Sequence, residues 1–113
     1  MSNQGKQTDL NALASELASD VGNHSSGRTA RSILHGDRLR SVVMALDEGR
    51  ELGDHTAPGP AVIQVLRGEL DMRWEDNSVP LAAGDLMAIP DAIHSVHART
   101  ACVFMLTICL PEK

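Results

Sequence analysis

Residues 49–70 read GRELGDHTAPGPAVIQVLRGEL. Gly, Pro and Asp crowd the first half around a single histidine, His55, and an apolar run fills the second. Gly-Pro clusters punctuate loops, whereas short apolar runs bounded by them read as buried strands. The stretch therefore predicts loops over 47–54 and 56–60, then a strand pair over 61–74 with Gly68 as a kink or bulge. In the second member Leu70, Met72 and Trp74 alternate with Glu69, Asp71, Arg73 and Glu75, so one face is buried and the other wet.

The same punctuation continues outward. TARSIL and RLRSVVMAL flank His35-Gly36-Asp37 as a hairpin, EDNS is a turn, and VPLAAGDLMAIP, HSVHA and the final run over 101–110 supply further strands. Eight or nine short strands without an internal repeat mean a sandwich or barrel. Only the N-terminal part breaks this pattern. Leu10, Leu13, Leu17 and Val21 recur at helical spacing, Thr8 or Asp9 can cap the start, and Gly22 can end it. Two regions result: 1–27, a loose start, an amphipathic helix and a linker, and 28–113, the β domain.

A chain of 113 residues makes one domain with a real core. Trp74 and Phe104 are its whole aromatic complement, so aliphatic residues and Met44, Met72, Met87 and Met105 must fill that core. Base-stacking platforms need aromatics, and a net charge of −5 disfavours polyanions; neither nucleic acid nor a membrane surface is an expected partner. Arg28, Arg31, Arg38 and Arg40 form a local exception, read most simply as a charged strand edge. Cys102 and Cys109 lie in one strand, roughly 23 Å apart at the usual rise and on opposite faces, so they cannot pair. Reduced thiols, no apolar run near the ~18 residues of a membrane span, and no signal segment lead to the expectation of a soluble, cytoplasmic protein.

Two spacings carry the chemistry. Gly49 is followed after five residues by His55, then by Ala57, Ala61 and Gly68; after fifteen intervening residues comes Gly84-Asp85, then Pro90 and His94. This frame, over roughly residues 38–110, resembles the two motifs of the small single-domain, RmlC-like cupins. The resemblance implies an all-β fold: a cupin-type double-stranded β-helix, or jelly-roll barrel, with one N-terminal α-helix. It also implies metal-ligand positions at His55 and His94, and a homodimer paired through its sheets, with residues 8–21 a candidate part of that interface. The ligand set departs from the family's: Ala57 stands at the second His position of the first motif and Ala61 at its Glu.

Alternation along strands predicts a cavity lined by His55, Ala57, Ala61 and Ile63 from one side and by His94 and Val96 from the other. His97 and Gln64 fall on the opposite parity. Catalytic zinc takes three protein ligands and non-haem iron two His and a carboxylate, so His55 and His94 alone predict at most a weakly held divalent metal such as Zn, Fe, Ni or Mn. No nucleophile-elbow glycines surround any serine; Ser95, beside His94, comes nearest but faces away from it. The reading favoured is a binding module in which two imidazoles hold a small organic molecule. The alternatives are a mononuclear metal enzyme of the dioxygenase, isomerase or decarboxylase kind using His55 and His94, and a purely structural or dimerisation domain.

Overall fold

The computed structural model describes residues 5–112. Helix α1 (Leu10–Asp20) is followed by a 3-10 turn over Val21–Asn23 and nine strands: β1 (Arg28–His35), β2 (Leu39–Leu46), β3 (Glu51–His55), β4 (Ala61–Arg67), β5 (Glu69–Trp74), β6 (Asn77–Ala82), β7 (Leu86–Ala88), β8 (His94–Ala98) and β9 (Cys102–Cys109). They form two antiparallel sheets, ordered β1-β2-β9-β4-β7 and β3-β8-β5-β6. The expected jelly-roll architecture with one N-terminal helix is what the chain adopts.

Strand alternation builds two cores rather than one. Between the sheets, Leu46, Ile63, Val65, Phe104 and Cys102 from the first meet Leu70, Met72, Leu81, Val96 and Ala98 from the second. On the other side of the five-stranded sheet, Val43, Ala45 and Val103 lie under Leu13, Ala14, Leu17 and Val21. That five-stranded sheet is therefore apolar on both faces, which is why β9 reads as a continuous apolar run. The Asp9 carboxylate caps α1 by accepting from the Ala12 N–H at 3.1 Å.

Residues 51–54, which the sequence predicts as loop, join His55 in strand β3, which pairs with β8 in the register Glu51↔His97, Leu52↔Val96, His55↔His94. The register shift between Leu52 and His55 breaks the alternation, and the outward residues are polar, so no period-2 signal survives in ELGDH. Long-range pairing with β8 decides the conformation there.

The frame glycines have a backbone explanation. Gly49, Gly68 and Gly84 sit at φ of 80°, 75° and 95°, in the left-handed region. At Gly68, the β4–β5 corner, a Cβ would also run into the Ala101 carbonyl oxygen and the Cys102 Cα. Asp85 closes the β6–β7 turn by accepting the Ala82 N–H at 2.8 Å.

Candidate functional site

Strand direction places one end of the barrel where β2 and β4 begin and β3, β5 and β9 end. On the four-stranded sheet, the row nearest this mouth is His55, His94 and Trp74, paired directly across β3, β8 and β5. On the facing sheet the corresponding row is Arg40, Ile108 and Ala61, paired across β2, β9 and β4. The next row inward is Val42, Leu106, Ile63 and Met87.

The structure thus brings His55 and His94 together, as expected from the sequence. Their ring centroids are 4.3 Å apart with planes at 64°, an edge-on contact. The Nδ1 of His94 lies 2.8 Å from the Ala92 carbonyl oxygen, and that of His55 2.8 Å from the Gly53 carbonyl oxygen. A carbonyl only accepts, so each Nδ1 carries a proton and donates it, which leaves each Nε2 with a lone pair when the ring is neutral. His94 is only 2 % exposed, behind a half-buried His55.

The other expected lining residues separate into two groups. Ala61 is half-buried in the mouth row, and Ala57 lies beyond the end of β3 in the 56–60 loop. There it lines an open hollow of about 460 Å³ with Gly59, Pro60, Ile89 and Pro90. Ile63 and Val96, at 0 % and 1 % exposure, belong to the packed core beneath the mouth. Gln64 and His97 lie on outer faces, as strand parity requires.

Arg40, which the sequence presents as part of a charged edge, lies in this mouth row. It lies two and four residues before Val42 and Met44 on one strand, so it shares their inward face. It is half-buried there, and among the described residues no ion pair or side-chain hydrogen bond involves it. The missed signal was this parity within an otherwise apolar alternation.

The donor set does not match a resident catalytic metal. Two imidazole nitrogens are available, Ala57 and Ala61 bring methyl groups, and no group of three His, Cys, Asp or Glu among the described residues could hold an ion. Both cysteines are free. Burial pushes the Cys102 thiol up to about 11, which makes it a poor nucleophile.

No family model matches this chain. No curated protein matches it. Solved structures do. It is similar to a cupin superfamily protein from Desulfitobacterium hafniense, with a TM-score of 0.74 at 17 % identity over 84 % of this chain and 88 % of that one. It is also similar to a conserved protein of unknown function from Streptococcus pyogenes, with a TM-score of 0.73 at 23 % identity over 99 % and 93 % of the two chains. An RmlC-like cupin from Shewanella frigidimarina superposes with a TM-score of 0.69 at 21 % identity, covering 79 % of this chain and 81 % of that one.

Proposed function

We propose, from the cupin fold that this chain shares with those structures, that the protein is a small-molecule-binding module whose mouth receives an organic acid. One observation carries this reading: the mouth row sets Arg40 on one wall and the His55–His94 pair on the other. A half-buried guanidinium with no partner among the described residues is unfavourable by itself and is stabilised by an anion that accepts its fork of N–H donors. The Nε2 atoms are acceptors in the neutral rings and call for a hydroxyl or amine on the same ligand. A small hydroxy acid or amino acid meets both demands, with Trp74, Ile108 and Ala61 supplying apolar contact. Fold by itself carries no function, so the proposal stands on these side chains.

A metal-dependent enzyme is the second reading, and one feature favours it. Both imidazoles donate Nδ1–H to backbone carbonyls, the arrangement that aims the other nitrogen of a metal-ligating histidine. His55 and His94 would be the protein ligands, and the remaining positions would have to come from elsewhere.

Elemental analysis of tag-free protein, beside a His55→Ala, His94→Ala double variant, separates the two. Metal well below one equivalent and unchanged in the variant is expected. About one equivalent, lost in the variant, overturns the metal-free module. Thermal shift with small 2-hydroxy acids against their amides then tests the ligand class. Acids should raise Tm and amides should not, and Arg40→Ala should abolish the difference. Equal responses to acids and amides would refute the anion site.

A further inference from the structure

The outer face of the four-stranded sheet carries a second constellation, whose polar groups are not those of the mouth. Ser95 and His97 alternate with the inward His94 and Val96 on β8, so both point outward. The Oγ of Ser95 lies 3.3 Å from Nε2 of His97, and Nδ1 of His97 lies 3.0 Å from Oε2 of Glu51, its cross-strand partner on β3. An ionised carboxylate only accepts, so the imidazole proton sits on Nδ1. Nε2 is then the acceptor, and the Ser95 hydroxyl donates to it. Carboxylate, imidazole and hydroxyl stand in the order that activates a serine by general-base catalysis.

The surroundings separate this chain of groups from a generic polar ladder. Asp71, directly opposite His97 on β5, is held by Arg99 at 3.3 Å and by Arg73 at 3.7 Å, while Arg99 also lies 3.9 Å from Glu69. Of the charged groups facing His97 and Ser95 (Glu51, Asp54, Glu69, Asp71, Arg73 and Arg99), Glu51 alone holds the ring. Ser95 also lines an open hollow of about 450 Å³ with Asp54, Arg73, Trp74, Glu75 and Ile93. Ile93, at 62 % exposure, is an apolar wall left in water. Arg73 sits directly across from Ser95 in the β5–β8 register.

We propose that Ser95, His97 and Glu51 form an esterolytic site for small esters whose acyl group rests against Trp74 and Ile93. The Ser95 oxygen bonds to the ester carbonyl carbon as its proton passes to Nε2 of His97, and the charge developing on the carbonyl oxygen faces the Arg73 guanidinium. The ester C–O bond then breaks and the alcohol leaves with the proton from Nε2. Water, deprotonated by His97, hydrolyses the acyl-serine, releases the carboxylic acid and restores the hydroxyl. Glu51 acts through the imidazole as a positioning residue.

The test uses the full chain with p-nitrophenyl acetate and, separately, an alkyl fluorophosphonate, followed by peptide mass spectrometry. Release of p-nitrophenolate should fall at least about tenfold in both Ser95→Ala and His97→Gln, the size of a general-base contribution. Glu51→Gln should lower kcat while leaving KM nearly unchanged, the split expected of a residue that acts through the imidazole. The fluorophosphonate should label Ser95 in the unaltered protein, a readout that needs no variant to fold. Hydrolysis unchanged in a folded Ser95→Ala protein, or label absent from Ser95, would overturn the proposal.

Discussion

Ser95 shows how a single step of strand parity separates two chemistries. Its sequence neighbour His94 points inward to His55, whereas His97, two residues on, shares its outward face. A search for a base beside the serine therefore finds the wrong imidazole. Cys102 illustrates the same rule, since its inward position in the inter-sheet core raises its thiol from 9.0 to about 11. A thiol held neutral by folding contributes stability that is complete below its unfolded value and is lost as pH climbs through the folded one. Stability should accordingly decline between pH 9.0 and about 11, and Cys102→Ala should lack that component. Urea titrations at several alkaline pH values would check it. A parallel decline in both proteins would show that the thiol is not responsible. In native protein near neutral pH, iodoacetamide should leave Cys102 unmodified.

Helix α1 is the element whose role is best defined by contact. Leu13, Ala14 and Leu17 are buried on the five-stranded sheet, so the apolar stripe seen in the sequence is spent within the chain. Two arginines flank that stripe: Arg31 Nη2 donates to Glu16 at 2.8 Å, and Arg67 Nη2 donates to Ser15 Oγ at 2.6 Å. The Arg31 guanidinium holds the Glu16 carboxyl below the usual range, but the pair lies in water and contributes little. Packing dominates. Leu17→Ala, at a site with 1 % exposure, should cost about 2–5 kcal/mol in chemical denaturation, whereas Glu16→Gln should leave the midpoint nearly unchanged. A Leu17→Ala protein as stable as the parent would mean that the helix is only loosely docked.

At the scale of the molecule, the two sheets are unequal, five strands against four. Strand β1 extends the larger sheet and pairs on one side only, leaving Arg28, Ala30, Arg31 and Ser32 exposed. Edge strands of this kind are guarded by charge or covered by a partner. The expectation of a homodimer belongs here, and light scattering on the size-exclusion peak should read about twice the 12.1 kDa chain mass. A peak at the chain mass would remove it. Among the described residues, no helix is long and apolar enough to cross a membrane.

The sequence alone determined the all-β pattern, the N-terminal helix with a cap at Thr8 or Asp9, the glycine corners and the inward pair His55 and His94. Each is a local matter of periodicity, turn chemistry or motif spacing, and none needs a distant partner to be read. Tertiary structure decided the rest. Strand β3 exists because β8 pairs with it, and Ile63 and Val96 are floor rather than wall because the sheets close over them. Arg40 enters the mouth because β2 faces the histidine row, and Ser95, His97 and Glu51 align because two strands meet in one register. Those relations depend on which strands become neighbours, and contacts between residues far apart in the chain set that choice.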